Sequence, residues 1–153
     1  MALHPRFIII HHSATADGRT FSWGAIRRYH TQERGWNDIG YHVGVELVGD
    51  SYETLVGRML DVEGAHCKEL GMNSLGIGVC LVGSYDEAAP PETALSKLRE
   101  VVRWLMRAYD IPPRNVLGHR EAGLRAGYDW RAGQYKSCPG KLFDMEEFRA
   151  SLL

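Results

Sequence analysis

His11 and His12 stand together at the end of an apolar run, His119 follows Val116-Leu117-Gly118, and Cys138 precedes Pro139-Gly140. Two imidazoles and one thiolate, with water as the fourth ligand, make a suitable shell for catalytic zinc. Such an ion lowers the pKa of its water to roughly 7 and polarises a carbonyl, the help that hydrolysis of an amide needs. Taken singly, these residues also have a bland reading, in which the cysteine is a small buried hydrophobe and each histidine a hydrogen-bonded core group. Spacing alone leaves both readings open. The sequence has no GxSxG, P-loop, HExxH or EF-hand pattern. Gly76-Ile77-Gly78 with Gly83 has a faint likeness to a dinucleotide fingerprint, but the glycines lie inside an apolar strand pattern. His119-Arg120-Glu121 with Cys138 suggests a zinc deaminase only until the order Cys138-Pro139, with no second cysteine after it, is noticed.

The elements that must position these groups can be read from periodicity. Phe7 to Ile10 is a short β-branched run that suits a strand buried on both faces, with the histidines at its C-terminal end. Adjacent strand residues point to opposite faces, so one of His11 and His12 is expected at any shared site. Ser22 can cap a helix running to about Glu33, and Val43 to Val48 with Tyr52 to Val56 reads as a hairpin turning at Gly49-Asp50-Ser51. Residues Gly57 to Ser74 read as loop with at most a helical turn. Leu75 to Val82 reads as the strand at the centre of the sheet. After Pro90-Pro91, the stripe Leu95, Leu98, Val102, Leu105 and Tyr109 predicts a long helix whose Arg99, Arg103 and Arg107 form a solvated face. Asn115 to Leu117 is a short strand candidate, Arg120 to Lys136 has no period, and Asp144 can cap a last helix from Met145 to Leu152. The fold class is α/β: one domain with a central mixed β-sheet flanked by helices.

Composition narrows the classes of function. The chain has 153 residues, 44% hydrophobic and 24% charged, which describes one soluble globular domain. A net charge of −1 provides no basic field for nucleic acid. The longest apolar runs are far shorter than the ~20 residues of a membrane helix. Met1 to Arg6 has no signal-peptide character, so the expectation is synthesis in the cytoplasm. Cys67, Cys80 and Cys138 are an odd number without a close pair, a poor disulfide framework; Cys80 is expected in the core.

Five segments, in order, carry a resemblance: Ile8-Ile9-Ile10-His11-His12-Ser13-Ala14-Thr15, Gly35-Trp36-Asn37-Asp38-Ile39-Gly40-Tyr41-His42, Asn73 to Gly83, Gly118-His119-Arg120-Glu121 and Lys136-Ser137-Cys138-Pro139-Gly140. The chain resembles the zinc-dependent N-acetylmuramoyl-L-alanine amidases, which share a fold with peptidoglycan recognition proteins and include small phage lysozymes. The resemblance implies a metal at the floor of a groove, with His11, His119 and Cys138 as zinc ligands, Tyr41 as the catalytic tyrosine and Lys136 as the catalytic lysine. His66 falls where family members have a groove histidine, so it can contact substrate or make a loop hydrogen bond. His30 and His42 are expected to be packed and hydrogen-bonded. Residues Ala122 to Tyr135 form a longer connection than the family pattern, and Tyr128, Trp130 and Tyr135 can make either a groove wall or a surface loop.

The implied activity is zinc-dependent hydrolysis of the bond between N-acetylmuramic acid and L-alanine in peptidoglycan, by a monomer acting as a phage or prophage endolysin on the cell wall after release. The alternatives are a cytoplasmic amidase recycling anhydro-muropeptides, a recognition protein that binds muropeptide without cutting it, and a regulator of a protein partner. Cys138 argues against the non-catalytic binder, since loss of the thiolate would be its sign.

Overall fold

The computed structural model describes residues 2–14 and 22–153; Thr15 of the first motif lies outside them. Strand β1 spans Phe7–His12, so both histidines belong to the strand itself. It lies between β4 (Gly76–Leu81) and β5 (Val116–Gly118), parallel to both. The hairpin of β2 (Val43–Val48) and antiparallel β3 (Ser51–Val56) joins through β2, which runs parallel to β4. The order is therefore β3-β2-β4-β1-β5, a mixed five-stranded sheet with β4 in the middle. Gly76 and Gly78 sit inside this strand, which removes the nucleotide reading.

Alternation along β1 divides the protein in two. Ile8 and Ile10 enter the main core with Val79, Leu81, Leu98, Leu105 and Phe143, whereas Ile9 packs with Cys67, Met72, Leu117 and Ala122 on the other face. His11 follows Ile9's side and His12 the side of Ile8 and Ile10. The main core is covered by α3 (Glu92–Tyr109), where Ala94, Leu98, Val101, Val102 and Leu105 are buried. Its arginines do more than face water. Arg99 donates to Ser151 Oγ (3.0 Å) and Arg103 to the Ser151 carbonyl (2.6 Å), which clamps the C-terminal helix, Met145–Ala150, against α3. Only Arg107 of the three is exposed.

Several boundaries differ from the sequence reading for local reasons. Ser22 does cap α1 (Trp23–Arg28), accepting from the Ala25 amide, and the Glu46 carboxylate takes the Trp23 amide. The helix then widens into a π-helical turn, Tyr29–Glu33, rather than continuing as α. Leu75 closes a short α2 (Met72–Leu75) instead of opening β4. Asn115 lies in a 3₁₀ turn before β5, and the stretch read as aperiodic begins with α4, His119–Arg125. The last helix, α5, stops at Ala150 and is capped by Asp144, which accepts from the Glu147 amide. Among the described residues no helix is long and apolar enough to cross a membrane.

Leu98 is fully buried under the sheet, while Arg107 on the same helix is exposed. Leu98→Ala is expected to cost about 2 to 5 kcal/mol of stability and Arg107→Ala less than about 0.5 kcal/mol. Chemical denaturation of both variants measures the difference.

Candidate functional site

The C-terminal ends of β1 and β5 bring the expected donors together. His11 occupies the fifth position of β1, and His119 is the first residue of α4, directly after β5. Register sets Ile10 opposite Gly118, which places the two histidines side by side with ring centroids 4.7 Å apart. Cys138 reaches them from the loop before α5, its Sγ 3.6 Å from His11 Nδ1. One ligand atom from each of the three residues lies within 4.8 Å of the others, and all three residues are buried. A tetrahedral ion with Zn–S of about 2.3 Å and Zn–N of about 2.0 Å requires an N···S separation of roughly 3.5 Å. The donor set therefore fits zinc without rearrangement of His11 and Cys138.

Burial keeps the donors uncharged. His11 is held well below the ordinary histidine pKa by burial, then by His119, His66 and Lys136 around it. Burial, followed by Lys136, lowers His119 to about 4 against the opposing pull of Glu69. Burial also pushes the Cys138 thiol up to about 12, partly offset by the His12 carbonyl, Lys136 and Arg120. Neutral imidazoles offer lone pairs, and a metal cation would supply the charge that a thiolate needs.

The other expected residues surround this centre in an open groove of about 430 Å³. The Tyr41 ring lies 5.1 Å from the His11 ring and stacks on Trp23. Burial raises its hydroxyl well above the ordinary tyrosine value, and Cys80, buried in β4, is its hydrogen-bond partner. Lys136 is exposed on the groove, its ammonium 5.7 Å from the Tyr135 ring centroid. His66 adjoins His11 and also lines the groove. Its Nδ1 is 3.0 Å from His11 Nε2 and its Nε2 is 3.1 Å from the Gly76 carbonyl, so both ring nitrogens are engaged inside the fold. Gly78 makes this possible, because a Cβ there would fall 2.6 Å from the His66 ring. His12 turns away and accepts from the Tyr85 amide. His42 accepts from the Gly78 amide and donates to the Val62 carbonyl, and His30 accepts from the Gly40 amide.

Three groups beside these donors have partners that the sequence did not reveal. Arg120 is buried and donates to the carbonyls of Ser137, Gly140 and Phe143, while its own amide donates to the Cys138 carbonyl (2.7 Å). One guanidinium thus holds the whole loop that presents Cys138, with Trp130 covering it at 4.4 Å. Glu69 and Tyr135 meet His119 at one ring nitrogen: Tyr135 Oη is 2.9 Å and Glu69 Oε2 3.5 Å from His119 Nε2. Burial is the strongest single influence and works against ionisation of Glu69, but the bond from Tyr135, its own backbone amide, His119 and Cys67 together outweigh it and hold the carboxyl below its ordinary value. Arg120's pairing with backbone carbonyls leaves no pattern in sequence; Tyr135 adjoins Lys136 and was legible only as an aromatic of the long connection. A larger, mainly apolar groove of about 740 Å³ between β3 and α3 holds none of the expected donors.

The profile of the N-acetylmuramoyl-L-alanine amidase family matches residues 1–141. The chain belongs to this family. Peptidoglycan-recognition protein LB of Drosophila melanogaster is 32% identical over 75% of the chain and 50% of its own length. Human N-acetylmuramoyl-L-alanine amidase is 41% identical over 79% of the chain but 19% of itself, so the chain spans half or less of these two relatives. The endolysin of Enterobacteria phage K11 is 34% identical, with 76% of each chain covered. Among solved structures, the amidase endolysin LysCS of Clostridium intestinale superposes with a TM-score of 0.79 at 25% identity, covering 98% of this chain and 84% of that one. A Drosophila PGRP-LB structure in complex with tracheal cytotoxin gives a TM-score of 0.71 at 27% identity, covering 95% and 83%.

Removing the Arg120 guanidinium orphans several buried carbonyls at once. Arg120→Met is expected to lower stability by on the order of 3 kcal/mol and to loosen the Cys138 loop. Denaturation together with the rate at which a thiol reagent labels Cys138 tests both effects; unchanged labelling would remove Arg120 from this role.

Proposed function

We propose that the chain hydrolyses the amide between the lactyl group of N-acetylmuramic acid and L-alanine in peptidoglycan, using zinc held by His11, His119 and Cys138. The observation that carries this reading is the convergence of two neutral imidazoles and one buried thiol at the floor of an open groove flanked by Tyr41 and Lys136. Zinc, when bound, supplies Lewis acidity toward a carbonyl and makes water a competent nucleophile near pH 7. The protein's own residues do the rest. Lys136 brings an ammonium to the groove beside the ligands, where it can stabilise the oxyanion that forms as water adds to the lactyl carbonyl. Tyr41 stays protonated in its buried setting and can orient the water or pass a proton as the C–N bond breaks. The products are a lactyl carboxylate and a stem peptide with a free L-alanine amine.

Similarity to a phage endolysin over about three quarters of both chains supports action on the cell wall, and the tracheal-cytotoxin complex of a structural relative supports recognition of muropeptides. Mass spectrometry of intact sacculi and of soluble anhydro-muropeptides after digestion is the direct test. New free L-alanine amines from sacculi fit an endolysin, release from soluble fragments alone fits a recycling enzyme, and release from neither refutes the amidase.

Purified protein is expected to hold about one zinc per chain by elemental analysis. Cys138→Ser and His119→Ala should each lose metal and activity, whereas His12→Ala should keep the metal because its ring faces Tyr85. Lys136→Ala should slow turnover by ~10² to 10³ fold with zinc retained, and Tyr41→Phe should slow it with a smaller change in substrate affinity. Metal content, muropeptide affinity and turnover measured on the same preparations separate these roles.

A further inference from the structure

His119 has two ring nitrogens, and only one can serve a metal shared with His11 and Cys138. Its Nε2 is already engaged, 2.9 Å from Tyr135 Oη and 3.5 Å from Glu69 Oε2. Tyr135 and Glu69 are also hydrogen-bonded to each other, and the side chains of His119 and Glu69 are only 7% and 8% exposed. The proton count of this cluster allows one arrangement. A carboxylate only accepts, so the single hydroxyl hydrogen of Tyr135 goes to Glu69. The Tyr135 oxygen then accepts, and His119 Nε2 must carry the hydrogen that it receives. That leaves the lone pair on Nδ1.

We propose that Glu69 and Tyr135 are a positioning pair that fixes the tautomer and ring orientation of His119 for metal binding. The inference rests on the zinc reading above and concerns how tightly the ion is held. It also assigns a purpose to the long connection after His119, since Tyr135 is its last residue. The fold gives that ring a dedicated seat: a Cβ at Gly123 of α4 would fall 2.5 Å from it, and Tyr128 stacks on it at 6.1 Å. Tyr135 also lies beside Lys136, so one aromatic residue supports a ligand through its hydroxyl and a groove cation through its ring. Cys67 completes the surroundings of Glu69, with Sγ 3.6 Å from Oε2. Cys67, Glu69 and His119 are themselves within metal-binding reach of one another, but an ion there would compete for the Nε2 that the relay protonates.

Tyr135→Phe and Glu69→Gln test the pair on the full chain, the first keeping the ring and its contact with Lys136. Zinc affinity is read by competition with a chelator, alongside the visible spectrum of the cobalt-substituted protein and turnover as free zinc is raised. Each variant is expected to bind zinc ~10 to 100 fold more weakly, as loss of a ligand's orienting partner does, and to regain turnover when zinc is added. The double variant should be no weaker than the worse single, because the two act as one relay. Leu98→Ala controls for lost stability and should leave zinc affinity unchanged. Zinc affinities within twofold of the parent protein, or two zinc ions per parent chain, would overturn the pair. A parent chain that takes up no zinc overturns both this inference and the proposed reaction. A zinc-loaded parent chain that cuts no muropeptide refutes the reaction alone, and the affinity comparison still judges the pair.

Discussion

The register of β1 is the constraint from which the site follows. Parallel pairing on both sides sets His11 opposite Cys80 of β4 and Ile10 opposite Gly118 of β5, one residue before His119. A slip of one residue would carry His11 to the α3 side and send His12 toward Cys138, while exchanging Ile9 with Ile8 and Ile10 across the sheet. The isoleucines would replace one another in that slip, so what opposes it is the burial of the His11 imidazole in the apolar core beside α3, away from its partner His66. The same polar residues that make the metal-capable geometry therefore help to fix the strand register that presents them.

The second theme is how a fold accommodates so many polar groups out of water. His11, His66, His119, Arg120 and Cys138 are all buried within a short distance of one another, and an unsatisfied member would cost on the order of 1 to 3 kcal/mol. Each is given partners by a different element. β4 supplies the Gly76 carbonyl for His66, the 3₁₀ turn at Glu69 and the Tyr135 hydroxyl serve His119, and the loop after Lys136 offers its carbonyls to Arg120. Rings held at both nitrogens lose their freedom to rotate, so orientation comes from the surrounding network as well as from the rotamer.

The main architecture was legible because the strands and the long helix carry unambiguous patterns. Ile8, Ile9 and Ile10 announced a strand buried on both sides, Gly49-Asp50 a hairpin, and Leu98 with its neighbours a helix against the sheet. His11, His119 and Cys138 were legible as a group because the motifs around them occur together. His66 was legible as a residue of interest but not in its direction: nothing in Gly64-Ala65-His66 says that a glycine in β4 opens a seat for its ring. Glu69 and Arg120 were illegible for another reason. Glu69 pairs with a residue 66 positions away, and Arg120 with main-chain oxygens that every sequence possesses. The π-helical turn at Tyr29–Glu33, whose His30 ring packs against Trp36 and Tyr41, likewise has no signature in residue type.

The two borders of the sheet have a consequence of their own. β5 is three residues long, and Arg149, which is paired with Glu121, donates to its Val116 carbonyl. β3 exposes Ser51, Glu53 and Thr54, and its last carbonyl, on Val56, is taken by the Trp23 indole and Arg27. A foreign strand approaching β5 meets a short rim with one carbonyl already taken, and one approaching β3 meets the Glu53 charge and a bonded carbonyl at its end. Growth of the sheet from one molecule into the next is discouraged at those points of the two borders.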